Sequence, residues 1–185
     1  MGRLILVTGG ARSGKSSYAE ELAGGFGDNV LYIATSIPFD EEMKERVKKH
    51  RERRPSDWET LEAYKDLDRH VEGRLATKSA VLLDCITVMA ANLMLEKCPD
   101  LDKLDDRAAE EVEKHVLLQI NSLLEAVKAS PVPFVVVTNE IGMGVVPEHK
   151  SARVFRDVAG RGNQVLARTA DEVYLCVSGI PVKIK

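Results

Sequence analysis

Short apolar runs recur along the chain, with helical patterns between them. They are Leu4–Thr8, Val30–Thr35, Ala80–Cys85, Phe134–Asn139 and Glu172–Val177. Continuous apolar runs of this length are typical of strands in a parallel sheet whose two faces are both covered. The pattern therefore predicts an α/β fold of three layers around a mostly parallel central sheet.

Helical periodicity is clearest between Asp105 and Ala129. Apolar residues there repeat every three or four positions and fall on one stripe: Val112, Val116, Ile120, Leu123, Leu124 and Val127. Such a stripe predicts a long amphipathic helix. A second helix is expected from Ser16 to about Ala23, where two glycines end it.

The remaining segments fit one domain over residues 1–185. The last five residues, PVKIK, follow Ser178 and Gly179 and predict a short strand that pairs with its predecessor through a tight turn. The charged stretch from Asp40 to Asp57 predicts a helix followed by a loop at the edge of the sheet. No repeat, low-complexity tract or linker divides the chain.

Composition narrows the class of protein. The formal net charge is -3, which argues against a general nucleic-acid-binding protein. No apolar run approaches the roughly 18 residues of a membrane span, and the N-terminal apolar run is too short for a signal peptide. Cys85, Cys98 and Cys176 form no CxxC pair, and Cys85 and Cys176 are expected to be buried thiols in a reducing compartment. A cytoplasmic location is therefore predicted.

The strongest motif is a glycine-rich loop between the first strand and the first helix. Its residues are Gly9, Gly10, Ala11, Arg12, Ser13, Gly14, Lys15 and Ser16, which match GxxxxGK[ST]. Glycines let the backbone N–H groups wrap around phosphate oxygens, and the helix N-terminus favours negative charge. Lys15 is expected to reach the β- and γ-phosphates, and Ser16 to help hold Mg²⁺. This motif predicts nucleotide binding.

Asp84 directly follows the apolar run Ala80–Leu83. An acidic Mg²⁺ ligand is expected at this position in a nucleotide-binding protein with a phosphate-binding loop. Many strands end in aspartate for structural reasons, so this signal is weak when taken alone. Beside a phosphate-binding loop it favours a role in binding Mg²⁺, directly or through water.

A basic segment surrounds His50. Its seven cations are Lys44, Arg46, Lys48, Lys49, Arg51, Arg53 and Arg54. A solvated helix face explains that composition equally well. Nearby cations would also keep the imidazole unprotonated and available as a nucleophile. Spacing alone does not assign His50 a covalent role.

The segment from Asn139 to Gln164 begins where a central strand ends, and ligands bind at that edge of an α/β sheet. This position predicts either a substrate site or a subunit interface. A loop and a helix with a purely structural role are an equally good interpretation. Arg153, Arg156 and Asp157 are candidates within it. His70 and His115 are interpreted as structural, and the role of His149 stays open.

Taken together, these motifs resemble the adenosylcobinamide kinase/adenosylcobinamide-phosphate guanylyltransferase family. The similarity runs along the whole chain, through the segments ILVTGGARSGKSSYAE, LYIATS, HRERRPSDWETLEA, VLLDCITVMAANLM, VVVTNEIGMGVVPEHKSARVFRDVAGRGNQVLA and ADEVYLCVSGIPVKIK. One departure is Gly162, which stands where a branched aliphatic residue is expected and should loosen a helix locally.

The resemblance implies a P-loop fold with a sheet related to that of RecA-like NTPases, and a homotrimer. It also implies two reactions on a corrinoid. A nucleoside triphosphate, ATP or GTP, first phosphorylates the aminopropanol hydroxyl of adenosylcobinamide. GTP then donates GMP to that phosphate, which gives adenosylcobinamide-GDP and pyrophosphate.

The resemblance also implies roles for particular residues. Gly9 to Ser16 match the nucleotide loop, and Ala34, Thr35 and Ser36 match a second nucleotide-contact segment. His50 falls on the histidine that becomes guanylylated. The remaining nucleotide-contact positions are Arg51, Glu52, Arg53, Arg54, Glu62 and Asp84.

Two alternatives stay open at this point. The first is a P-loop kinase of another small metabolite, which would form no covalent nucleotide on the protein. The second is a RecA-like NTPase switch, which would hydrolyse nucleotide slowly without an acceptor.

Overall fold

The computed structural model describes residues 2–36, 55 and 57–185. Its strands are β1 (Leu4–Gly9), β2 (Val30–Ala34), β3 (Glu59–Glu62), β4 (Ala80–Asp84), β5 (Phe134–Val137), β6 (Glu172–Val177) and β7 (Ile180–Lys183). Its α-helices are α1 (Lys15–Gly24), α2 (Leu67–Val71), α3 (Ile86–Lys97), α4 (Asp106–Ala129) and α5 (Lys150–Thr169). Short 3₁₀ turns cover Leu75–Thr77 and Leu101–Lys103.

The seven strands in the described part of the chain form one sheet in the order β3-β2-β4-β5-β1-β6-β7. Every neighbouring pair is parallel except β6 and β7, which form an antiparallel C-terminal hairpin. Helices α2 to α5 pack on one face against residues such as Leu4 and Phe134, and α1 packs on the other against Ile5 and Val7. The predicted three-layer α/β fold, with a mostly parallel central sheet and a C-terminal hairpin, is confirmed.

Three strands end earlier than the apolar pattern predicts, because side chains replace the strand ladder at their carboxyl ends. Beyond Ala34 the hydroxyl of Thr35 donates to the Cys85 carbonyl at 2.7 Å and accepts from the Cys85 amide at 2.9 Å. Beyond Val137 the amide of Asn139 donates to the Thr87 hydroxyl at 2.7 Å. These bonds draw the ends of β2, β4 and β5 together at one edge of the sheet.

Helix α4 follows the predicted stripe, and all six stripe residues are buried. Its N-cap is Asp105, whose side chain accepts a hydrogen bond from the Ala108 amide at 2.7 Å. Such a cap stabilises a helix by about 1 kcal/mol. Helix α3 was not predicted, because it is buried on more than one side and its sequence carries no polar stripe.

Gly162 lies buried where α5 packs on α4, and α5 runs unbroken through it. A Cβ at this position would lie 2.7 Å from the Cδ1 atom of Ile120. The δ-methyl group of Ile120 therefore occupies space that a larger residue at position 162 would need.

We expect Gly162→Ala to leave the free energy of unfolding nearly unchanged. The gain in helix propensity is about 1 kcal/mol, and moving the Ile120 side chain off its rotamer costs a similar amount, about 1 kcal/mol. In an Ile120→Val background the obstruction is absent, so the same substitution should stabilise the protein by about 1 kcal/mol. Urea titration of the four chains measures this coupling. Equal effects in the two backgrounds would contradict the packing described.

Candidate functional site

The glycine-rich loop connects β1 to α1, the context that a phosphate-binding loop requires. Gly14 has φ 88°, and a Cβ there would lie 2.9 Å from the Cα of Gly179. The carbonyl of the preceding residue, Ser13, accepts a hydrogen bond from the Gly179 amide at 2.9 Å. Only glycine fits at position 14 without strain, because both the left-handed backbone and the β6–β7 turn exclude a side chain.

Lys15 begins α1 and is only 9% exposed. Its ammonium group donates to the carbonyl of Gly10 at 3.1 Å, so the side chain folds back across the loop. Arg12, in the same loop, is exposed and has φ 56°, a conformation that most residues avoid. The loop thus brings the lysine ammonium group and the N-terminus of α1 together, an arrangement that binds phosphate.

Asp84 ends β4, and β5 is the one strand between it and β1. The spacing of neighbouring strands places β4 roughly 10 Å from the strand that carries the glycine-rich loop. The Tyr32 hydroxyl donates to Oδ2 of Asp84 at 3.2 Å, which orients the carboxylate. A hydroxyl from Ser16 and one carboxylate from Asp84 fit Mg²⁺, which usually takes one or two protein ligands alongside phosphate oxygens and water.

The second predicted contact segment, Ala34 to Ser36, follows β2 at the same edge. Every polar group of Thr35 is engaged within the protein. Its hydroxyl pairs with Cys85, its amide donates to the Asp84 carbonyl at 3.2 Å, and its carbonyl accepts from the side chain of Asn92 at 2.7 Å. Thr35 therefore fixes the segment in place, and Ser36 is the residue of the three whose side chain is able to hydrogen-bond a ligand.

Glu62 ends β3 and is paired in register with Ala34. Both line a cavity of about 350 Å³ together with Thr35, Ser36, Ala63, Tyr64, Lys65 and His70. Three strand spacings, roughly 14 Å, separate β2 from β1. The structure therefore brings the second contact segment and Glu62 together in one cavity and places that cavity away from the glycine-rich loop along the same edge.

His50 and its neighbours lie outside the described residues. The same holds for the predicted contacts Arg51, Glu52, Arg53 and Arg54, and for Arg46 in the basic segment. Their roles stay predictions. The described residues on either side of them, Ser36 and Trp58, adjoin β2 and β3, which are neighbours in the sheet.

A polar network beneath the site was not predicted from the sequence. The Thr138 hydroxyl donates to Oδ1 of Asn163 at 2.6 Å and lies 3.2 Å from the Thr87 hydroxyl. The Nδ2 group of Asn163 donates to the Asn139 carbonyl at 3.0 Å. The Glu140 amide then donates to the Gly9 carbonyl at 3.1 Å. The network thus joins α3, β5 and α5 to the first residue of the glycine-rich loop.

We expect Asn163→Ala to lower the free energy of unfolding by about 2 kcal/mol, because it removes a partner from the buried Thr138 hydroxyl and from the Asn139 carbonyl. Chemical denaturation measures this loss. Gln164→Ala, at an exposed neighbour on the same helix, is the matched control and should change stability by less than about 0.5 kcal/mol. Equal small effects of the two substitutions would contradict the network's structural role.

The cysteines match their predicted environments. All three are free thiols, and Cys85 and Cys176 are buried. Burial, together with the adjacent Asp84 carboxylate, raises the pKa of the Cys85 thiol to about 11, so it stays protonated at neutral pH.

His115 lies within α4, where burial lowers its pKa, and His70 lies in α2. His149 is the exposed residue that precedes α5.

No helix in the described part of the chain is long and apolar enough to cross a membrane.

Comparison with protein families finds a match over residues 5–184 to the model described as cobinamide kinase/cobinamide phosphate guanyltransferase.

Three curated relatives align with almost the whole chain. The bifunctional adenosylcobalamin biosynthesis protein CobU of Escherichia coli (strain K12) is 48% identical over 98% of this chain and 99% of its own. The protein of the same name from Salmonella typhimurium is 50% identical over the same shares, 98% and 99%. The bifunctional adenosylcobalamin biosynthesis protein CobP of Pseudomonas aeruginosa is 37% identical over 97% of this chain and 96% of its own.

Proposed function

The chain belongs to the cobinamide kinase/cobinamide phosphate guanyltransferase family, and on that premise we propose how its residues carry out two successive reactions. The first phosphorylates the aminopropanol hydroxyl of adenosylcobinamide with ATP or GTP. The second transfers GMP from GTP to the new phosphate and releases pyrophosphate. The observation that carries the proposal is the glycine-rich loop with its buried lysine, separated by one strand from Asp84 at the carboxyl edge of the sheet.

In the kinase reaction the protein acts by positioning and by stabilising charge. The loop amides and Lys15 hold the β- and γ-phosphates in line with the acceptor hydroxyl. Lys15 is already directed across the loop by its bond to Gly10, so little reorganisation is needed when a triphosphate binds. Ser16 and Asp84 would hold Mg²⁺, which when bound neutralises charge on the phosphate oxygens.

In the guanylyl transfer, a neutral nitrogen of His50 attacks the α-phosphorus of GTP. The bond to the pyrophosphate oxygen breaks, and a phosphoramidate forms between GMP and the imidazole. A phosphate oxygen of adenosylcobinamide phosphate then attacks the same phosphorus, and the P–N bond breaks to free His50. The cations Arg46, Arg51, Arg53 and Arg54 offset the repulsion between the two anionic reactants.

The cavity at the ends of β2 and β3 is proposed to bind part of the nucleotide. Ser36 offers a hydroxyl and the exposed Glu62 offers a carboxylate, which suits the N–H groups of a guanine base. The described residues on either side of the basic segment, Ser36 and Trp58, lie on the β2–β3 side of the sheet, which supports a role for this cavity in the guanylyl transfer.

We propose that residues 1–185 form one domain that carries both activities. We also propose that the protein is cytoplasmic. Three free cysteines support a reducing compartment. A homotrimer is proposed from the family resemblance, and light scattering of the purified protein measures its mass.

Incubation with adenosylcobinamide, GTP and Mg²⁺, followed by mass spectrometry of the corrinoids, tests the proposed function. We expect adenosylcobinamide phosphate to appear first and adenosylcobinamide-GDP to follow. Adenosylcobinamide phosphate as the final product would indicate a kinase that does not catalyse guanylyl transfer. GTP hydrolysis with an unmodified corrinoid would contradict both reactions.

A further inference from the structure

The loop that follows β5 exposes apolar side chains beside the nucleotide site. Met143 is 78% exposed, Val145 is 95% exposed and Val146 is 65% exposed. A folded protein rarely presents three such residues within four positions unless they contact something. We call residues 140–148 the apolar loop.

Hydrogen bonds hold both ends of the apolar loop. At its start the Glu140 amide donates to the Gly9 carbonyl, and the Glu140 carboxylate accepts from the Gly142 amide at 3.0 Å. At its end the Arg153 guanidinium donates to the Pro147 carbonyl at 3.0 Å and to the Glu148 carbonyl. The apolar residues are therefore presented on a loop whose base is bonded to the first residue of the phosphate-binding loop.

The charges within the apolar loop disfavour a nucleotide as its ligand. Glu140 and Glu148 are its charged residues, and it contains no lysine or arginine. A triphosphate would be repelled by such a surface, whereas adenosylcobinamide carries no anionic group until it is phosphorylated. A corrin macrocycle has broad apolar faces edged by neutral amides, which match exposed methionine and valine side chains with acidic neighbours.

The position of the apolar loop in the fold favours the same ligand. β5 ends between the strands that carry the glycine-rich loop and Asp84, so the apolar loop leaves the sheet next to the point where the γ-phosphate would be held. The acceptor hydroxyl of the corrinoid must reach that point for phosphoryl transfer. A surface that binds the macrocycle must therefore lie beside it.

We infer that the apolar loop is the corrinoid-binding surface, with Met143, Val145 and Val146 packing against the macrocycle. This inference rests on the proposed function, because it assigns the acceptor subsite of the same reaction.

The test is a triple variant, Met143→Gln with Val145→Thr and Val146→Thr, that keeps side-chain size and removes apolar surface. Equilibrium dialysis with adenosylcobinamide should show a Kd raised about 30-fold, because the three side chains then bury less apolar surface against the macrocycle. Covalent loading with GMP from GTP needs no corrinoid and should be unchanged. Leu118→Gln, at a 61% exposed position on α4, is the matched control and should leave the Kd unchanged.

Three outcomes would overturn the inference. A triple variant that binds adenosylcobinamide as tightly as the wild type would show that the loop does not contact it. A fall in molar mass by light scattering would show instead that the loop joins copies of the chain. Abolished GMP loading would show that the substitutions disturb the nucleotide site. A wild-type chain that binds no adenosylcobinamide would contradict the proposed function itself.

Discussion

Replacing Lys15 by methionine should lower the rate of adenosylcobinamide phosphorylation by roughly three orders of magnitude. Methionine keeps the length of the side chain and removes its charge. Lys15 is buried against the loop, and the interaction of its ammonium group with phosphate oxygens strengthens as charge moves toward the leaving group. Because the side chain donates only one hydrogen bond within the described protein, to Gly10, its removal should change stability much less than activity.

Initial rates of corrinoid phosphorylation at saturating nucleotide measure this effect. Lys114→Met, at a 77% exposed side chain on α4, is the matched control and should retain the wild-type rate. A Lys15→Met protein whose rate stays within a few-fold of the wild type would show that the glycine-rich loop does not bind the transferred phosphate.

Replacing His50 by alanine should abolish covalent GMP loading while phosphorylation of the corrinoid persists within a few-fold. The two reactions separate because the imidazole is the nucleophile of the second one, whereas the first depends on Lys15, Ser16 and Asp84. The expected product of the variant is adenosylcobinamide phosphate, which should accumulate.

Intact-protein mass spectrometry after incubation with GTP, combined with the corrinoid assay, measures both activities in one sample. His149→Ala, at an exposed histidine before α5, is the control and should load GMP as the wild type does. GMP loading that survives in His50→Ala would assign the nucleophile to another residue. Loss of both activities would indicate that the two reactions share this histidine.

Local sequence signals were enough to predict the phosphate-binding loop and every strand of the described sheet except β3, which is short and only half-buried. Buried parallel strands are apolar throughout, so their runs stand out from the helices between them. The loop is equally local, since Gly9 to Ser16 form one continuous motif between a strand and a helix. The apolar stripe of α4 can also be recognised in the sequence, because one face of the helix is buried and the other is charged.

Features that depend on tertiary contacts were not predictable. The apolar pattern gives no sign that the Thr35 hydroxyl is engaged by Cys85, 50 positions away, and not by a ligand. Thr87, Thr138 and Asn163 are ordinary polar residues in the sequence, and they become one network only when β5 and α5 meet. Helix α3 is buried on several sides, so it carries no amphipathic signature.

The exposed loop after β5 shows a further limit of sequence patterns. Met143, Val145 and Val146 have the composition of a core segment, yet they lie on the surface. Their proposed role is inferred from their position beside the glycine-rich loop and from the absence of basic residues between Glu140 and Glu148.

Covalent catalysis by His50 is tested most directly by finding where GMP becomes attached. The wild-type protein is incubated with GTP labelled at the α-phosphate, denatured and digested, and its labelled peptide is sequenced by tandem mass spectrometry. We expect label on His50 that is stable to alkali, removed by acid and discharged by adenosylcobinamide phosphate before denaturation. A protein that carries no label, or carries it on a residue other than His50, would rule out the proposed guanylyl-histidine.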